Sequence, residues 1–282
     1  MISVSRANFL RTTPSEELVS EFSNYTSHQF SNEGVPVLIA ARNEQEDLPA
    51  TLISLAYSGI DVRPIVIENG SDDETARRAM KMGATVLHSD MPFKLAALQE
   101  GVQMLDDQDR IYDKPLLFTD ADTLVGRNWS ETMANAALTP NEKLSRVVCG
   151  SAIIWNGPSM AIDTLRTANA IVKDTLSSLR GTEPIGRGHN MAINFANEDA
   201  IDMYANLDPT LFIAEEQAIM DAIKRTGGEV VQSLGLKSIV LTRGDRFETL
   251  RDCFGVKGDT TRENRKQLYP EYDGITPYTS LE

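Results

Sequence analysis

The sequence is poor in the residues that make metal clusters and disulfide frameworks: it has two cysteines and three histidines in 282 residues. Cys149 and Cys253 lie far apart and match no metal-binding spacing, so idle thiols in a reducing cytoplasm are the expectation. Long apolar runs are missing too. No stretch approaches the roughly 20 residues that cross a bilayer, and no apolar run follows the first residues as in a signal peptide. Positive charge is scarce, with 27 Lys and Arg against 41 Asp and Glu and a net charge of −14. Such a field repels phosphate backbones and disfavours general nucleic-acid binding. A small phosphate ligand stays open, because a bound divalent cation reverses the sign locally. Internal repeats and low-complexity segments are absent.

What is present is a full apolar complement, 41% of residues, enough for one large α/β domain or two small ones. Val35 to Ala41 is a compact apolar run suited to a buried parallel strand. A polar loop from Arg42 to Asp47 follows, then a helical face of Leu48, Leu52, Leu55 and Ala56 ended by Gly59. Pro64 to Ile67 reads as a second strand. Asp72 or Asp73 caps a helix from Ala76 to Met82, and Gly83 closes it. Ala84 to Leu87 is a third strand, Lys94 to Leu105 a helix, and Pro115 to Thr119 a fourth strand. This alternation predicts a mostly parallel central sheet with helices on both faces, whose ligands bind beyond the carboxyl ends of the strands.

The second half is less regular. Arg146 to Trp155 reads as one strand continuing the sheet, Ser159 to Leu179 as a helix, Glu215 to Thr226 as a helix and Ser238 to Leu241 as a last strand. A polar N-terminal arm over residues 1–34 carries one short helix, Pro14 to Phe22. The domain proper spans 35–246, divided into a nucleotide-binding half (35–126) and an acceptor half (127–246), and 247–282 is a tail or lid. Trp129 and Trp155 suit sugar stacking, but core packing is the commoner fate of isolated tryptophans.

Asp120 and Asp122 directly follow an apolar strand. On an extended segment the two carboxylates share a face, and their repulsion is relieved by manganese or magnesium, which keeps positions open for substrate phosphates. A solvated strand-end loop looks the same in isolation. Three further elements precede the pair: Pro36 to Glu44, Val66 to Thr75, and Lys94 with Ala97, Leu98 and Gly101. In this order and spacing the set resembles the nucleotide-binding half of family-2 glycosyltransferases, over roughly Val35 to Gly126 and more loosely to Arg246.

The resemblance implies an α/β, single-domain nucleotide-diphospho-sugar transferase fold, the A-type glycosyltransferase fold, and a metal-dependent, inverting transfer from a UDP- or GDP-sugar to an unspecified acceptor hydroxyl. It implies that Ala41, Asn43 and Glu44 line the nucleoside pocket, with Asn69 at the base, where many relatives have Asp. Lys94 lies near the base or diphosphate. Asp120 with Ala121 approaches the ribose, and Asp122, with Asp120, holds the metal through an Asp-x-Asp motif. Glu215 and Glu216 resemble the family's acidic pair at a helix start. Glu216 then is the general base, although Glu in place of Asp leaves Glu215 open, as does a plain helix-start role.

Arg243 and Arg246 suit donor phosphates or a solvated strand end. Gly188, His189 and Asn190 suit an acceptor pocket or a structural role. A nucleotidyltransferase of the same fold would carry a glycine-rich loop after the first strand, and no glycine stands between Ala41 and Gly59. A non-catalytic nucleotide-sugar-binding relative is the other alternative. The expected location is cytoplasmic, including a peripheral one at the membrane. Oligomeric state is not readable.

Overall fold

The computed structural model describes residues 4–91, 93–109, 111, 114–138, 144–155, 172, 190–208, 215–233 and 236–243. The first half alternates as its periodicity demands. Strand β1 (Phe30–Ala41) leads to helix α3 (Leu48–Ala56), β2 (Val62–Glu68) to α4 (Thr75–Lys81), and β3 (Thr85–His88) to α5 (Lys94–Asp109), followed by β4 (Pro115–Phe118). Two helices precede them, α1 (Val4–Thr12) and α2 (Ser15–Gln29).

The second half adds β5 (Thr123–Leu124), α6 (Trp129–Ala137), β6 (Arg146–Gly150), β7 (Ala152–Trp155), β8 (Met191–Asn194), α7 (Glu198–Ala205), α8 (Glu215–Arg225), β9 (Glu229–Ser233) and β10 (Val240–Arg243). The main sheet has seven strands in the order β3-β2-β1-β4-β8-β6-β9. Among them β8 runs against its neighbours β4 and β6, and the other pairings are parallel.

Alternation along each strand builds two cores. Val37, Ile39, Val66, Leu117 and Val148 face one layer, with Leu18 of α2, Leu52 of α3 and Trp129 of α6. Leu38, Ile67, Phe118 and Val147 face the other, with Leu98 of α5, Tyr204 of α7 and Ile223 of α8. The sheet is therefore covered on both faces, which a parallel sheet requires.

Several boundaries differ from the sequence reading. The first 34 residues carry two helices rather than one short one, and Leu10 and Leu18 are buried in the first core. Strand β1 starts at Phe30, because a register irregularity lets both Phe30 and Val35 pair with Val62. The single strand expected over Arg146 to Trp155 is two. β6 stays in the main sheet, while β7 joins β10 and β5 in a separate three-stranded sheet. The break falls at Gly150, where a Cβ would stand 2.3 Å from the Asn190 amide. That amide takes up the Ser151 carbonyl at 2.7 Å, so the chain turns there instead of continuing. Of the helix expected over Ser159 to Leu179 only residue 172 is described, and it is helical.

Candidate active site

Three loops at the carboxyl ends of β1, β2 and β4 carry the expected donor-site residues. The first two are laced together. The Asn43 amide N–H donates to Ser71 Oγ at 3.1 Å, and Asn43 Oδ1 accepts the Asp72 N–H at 2.9 Å. Glu44 N–H donates to Thr75 Oγ1 (2.8 Å), Gln45 N–H to Asp73 Oδ2 (3.1 Å), and Asn69 N–H to the Ala41 carbonyl (3.0 Å). Asn43 has a φ of 57°, the one non-glycine residue with positive φ among the described residues. Asparagine tolerates that region better than most side chains. Gly70, at φ 68°, turns the second loop where a Cβ-bearing residue would be strained. Expected site residues Ala41, Asn43, Glu44 and Asn69 are thus brought together where the two loops meet, with Ala41 and Asn69 buried.

Glu68 sits under this turn and is nearly buried. Burial pushes its carboxyl up, but the Ser71 N–H, which donates to Oε1, and His88 Nδ1, 2.9 Å from Oε2, outweigh it and hold the group below its ordinary value. Asp73 follows the same pattern. Burial raises it, while the Thr75 hydroxyl and N–H and the Gln45 N–H bring it down.

The third loop carries the acidic pair. β4 ends at Phe118, and Ala121 and Asp122 form a turn closed by Thr123 N–H donating to the Asp120 carbonyl at 3.2 Å. The pair therefore sits on a turn and not, as alternation suggested, on an extended segment. That turn is held from outside. Thr51 Oγ1 of α3 donates to the Ala121 carbonyl at 2.6 Å, and Arg11 Nη2 of α1 to the Asp122 carbonyl at 2.6 Å. The Thr242 hydroxyl of β10 lies 3.3 Å from Asp122 Oδ1.

Asp122 is pushed up to about 6 by burial and by the negative charge of Asp120, against the pull of Arg11. Asp120 has its own counter-charge, the Lys94 ammonium at 2.6 Å. Lys94, Asp120, Ala121 and Asp122 form one cluster.

A profile described as glycosyl transferase family 2 matches residues 37–199, more than half of the chain. The chain belongs to glycosyl transferase family 2.

The chain is 40% identical over 58 residues to 4,4'-diaponeurosporenoate glycosyltransferase of Staphylococcus aureus, covering 21% of this chain and 16% of that protein. A counterpart from Staphylococcus haemolyticus is 41% identical over 56 residues, 20% and 15% of the two chains. The matched stretch thus spans less than a fifth of those relatives. Among solved structures, glucosyl-3-phosphoglycerate synthase from Mycobacterium tuberculosis, in complex with Mn2+, uridine-diphosphate and phosphoglyceric acid, superposes with a TM-score of 0.50 and 17% identity over 84% of each chain. At that identity the likeness shows the fold, the A-type glycosyltransferase fold.

The remaining expected residues are spread over other elements. Glu216 stands, partly exposed, in the first turn of α8, whose Ile219, Met220 and Ile223 pack into the second core. Glu215 begins that helix, and its side chain lies outside the described residues. Arg243 ends β10, in register with Trp155, and its side chain is likewise outside them. Gly188, His189 and Arg246 also lie outside the described residues.

Asn190 needs a correction. Its side chain is fully buried. Oδ1 accepts Trp129 Nε1 at 2.8 Å, and Nδ2 donates to the Ser151 and Ser238 carbonyls at 2.7 and 2.6 Å. That amide is spent on holding β7, β8 and α6 together and is not offered to an acceptor. Trp129 is core, as its isolation in sequence suggested.

Arg11, Thr51 and Thr242 escaped sequence reading. They act on Asp122 and Ala121 across long stretches of chain, and no local pattern marks them.

Proposed function

We propose that this glycosyltransferase moves a sugar from a UDP- or GDP-sugar to an acceptor hydroxyl, with a divalent cation and with inversion at the anomeric carbon. The acidic turn carries the reading. Asp122 lies half-buried beside the Asp120 carboxylate, and its ionised form is disfavoured by both burial and that neighbour. Two hard oxygen donors in mutual repulsion suit Mn2+ or Mg2+, which such carboxylates bind while leaving coordination sites for phosphates. No group of three or more His, Cys, Asp or Glu ligands occurs among the described residues, which fits an ion shared with a diphosphate rather than caged by protein. The Mn2+ and uridine-diphosphate in complex with the mycobacterial synthase superposed above support the same choice.

Asp122 would hold the ion, with Asp120 beside it. Bound there, the ion would neutralise charge on the departing diphosphate. The loops at Ala41, Asn43, Glu44 and Asn69 would hold the nucleoside. Lys94 would hold Asp120 oriented near the diphosphate, and Arg243 and Arg246 would pair with phosphate oxygens. The segment Gly188–His189 would face the acceptor. Glu216 would take the proton of the acceptor hydroxyl as that oxygen attacks the anomeric carbon and the diphosphate leaves. Glu215 is the neighbouring alternative. No helix among the described residues is long and apolar enough to cross a membrane, and a cytoplasmic site of action, free or peripheral to the membrane, belongs to the proposal.

Calorimetric titration of UDP and of GDP, with Mn2+ or with chelator, tests the reading. The expected result is Mn2+-dependent binding of one nucleotide by the wild type and none by Asp122→Asn. Because the substitution removes a disfavoured charge, its unfolding temperature should not fall. Equal affinity with and without metal would overturn the metal role.

A further inference from the structure

We propose that Arg11 is a positioning residue for the acidic turn, so that the first helix, outside the stretch matched to the family, forms part of the donor site. The inference rests on the reading of Asp122 as the metal-holding residue.

Helix α1 is seated by Ala7 and Leu10, one turn apart and both buried in the first core. Arg11 follows Leu10 and is directed inward, with 9% of its side chain exposed. Its Nη2 donates to the Asp122 carbonyl at 2.6 Å and to the Leu241 carbonyl at 3.2 Å. Its Nη1 lies 3.6 Å from Asp47 Oδ1, at the start of α3. One guanidinium therefore ties together the acidic turn, β10 and the amino end of α3.

Each of these contacts bears on Asp122. The carbonyl bond fixes the peptide from which the Asp122 side chain departs. The Leu241 bond fixes β10, whose next residue, Thr242, stands 3.3 Å from Asp122 Oδ1 and 3.2 Å from Thr123 Oγ1. The cation also stands near two carboxylates of opposite charge, those of Asp122 and Asp47. A planar fork with several donors can serve two carbonyls and a carboxylate at once; a lysine ammonium is a point charge on a flexible stem and cannot reproduce that geometry. Packing of Ala7 and Leu10 would anchor α1 without Arg11, so its bonds to the turn are additional to the helix's own attachment.

The test uses the full chain. UDP and, separately, GDP are titrated with and without Mn2+ into wild type, Arg11→Lys, Arg11→Ala and Arg6→Ala, with thermal unfolding in parallel. Arg6 is the control: it lies on the same helix, with its guanidinium 3.7 Å from the Tyr57 ring centroid. The quantity read is the gain in nucleotide affinity that Mn2+ confers. We expect that gain to fall about 10-fold or more in Arg11→Ala, as for loss of a charge-assisted bond, to be intermediate in Arg11→Lys, and to be unchanged in Arg6→Ala. Affinity without metal should stay near wild type throughout.

A merely structural role would lower the unfolding temperature and leave the gain intact. That result in Arg11→Ala, or an equal loss of gain in Arg6→Ala, overturns the proposal while leaving the donor reading standing. If Arg11→Ala does not fold, Arg11→Lys decides by the same criterion. A wild type with no Mn2+-dependent gain for either nucleotide removes the donor reading and this inference together.

Discussion

The Lys94 ammonium stands 2.6 Å from Asp120 Oδ1, joining the first residue of α5 to the acidic turn. A cation at a helix amino terminus opposes the helix dipole, so helix stability does not explain why lysine is there. Its partner does.

Lys94→Met should therefore cost little stability. Both side chains are about a third exposed, and such pairs contribute about 0–1 kcal/mol, partly offset by removing an unfavourable cation from the helix start. Nucleotide affinity, read by calorimetry, should instead fall roughly 10-fold, the worth of one charge-assisted contact. A large drop in unfolding temperature with unchanged affinity would make Lys94 a structural residue.

Glu216→Gln should leave donor binding nearly intact and slow transfer by about 10²–10⁴-fold, the usual contribution of a general base. The change keeps size and removes basicity. Glu215→Gln should raise the acceptor KM more than it lowers kcat. A larger kcat loss at Glu215 would move the base by one residue, and no loss at either would leave the pair as a helix-start feature.

Arg78 is 5% exposed and joins the second helix to the core. It donates to Ser15 Oγ, to the Gln45 carbonyl at 2.9 Å and to Glu16 Oε1 at 2.7 Å. The carboxylate of Glu16 is largely exposed and screened, and Ser15 Oγ keeps its own bond to Glu46 Oε2 at 2.9 Å, so the weight falls on the buried guanidinium's bond to the Gln45 carbonyl. Arg78→Met should destabilise by about 2 kcal/mol, measured by denaturant unfolding, whereas Glu16→Gln should scarcely matter.

The turn after β2 should be sensitive to acid. Glu68 and Asp73 both titrate below their ordinary values of 4.5 and 3.8, because hydrogen bonds to the ionised forms outweigh burial. Carboxyls depressed in the folded state contribute stability that is complete above those ordinary values and lost as pH falls through the folded ones. Thermal unfolding from pH 7 to 3 should show that loss beginning near 4.5. The double variant Glu68→Gln, Asp73→Asn should be weaker at pH 7 and flatter below 4.5. Parallel curves would refute the assignment.

Much of this protein was legible along the chain. The apolar run through Val37, Leu38 and Ile39 announces a strand buried on both faces, and the glycines after α3 and α4 mark where those helices stop, with φ of 116° at Gly59 and 89° at Gly83. These are local consequences of side-chain periodicity and backbone freedom. The order of four short motifs was enough to indicate the family.

Other features were decided only by tertiary structure. That Arg146 to Trp155 divides between two sheets depends on Asn190, 40 residues beyond Gly150, filling the space beside that glycine. That the first helix reaches the acidic turn depends on Arg11 finding a carbonyl 111 residues away. Asn43 meets Ser71 across a separation of 28. Local pattern fixes which face of an element is apolar. Which buried polar group satisfies which other is settled when the elements pack, since each must find a partner within reach or carry the cost of desolvation unpaired.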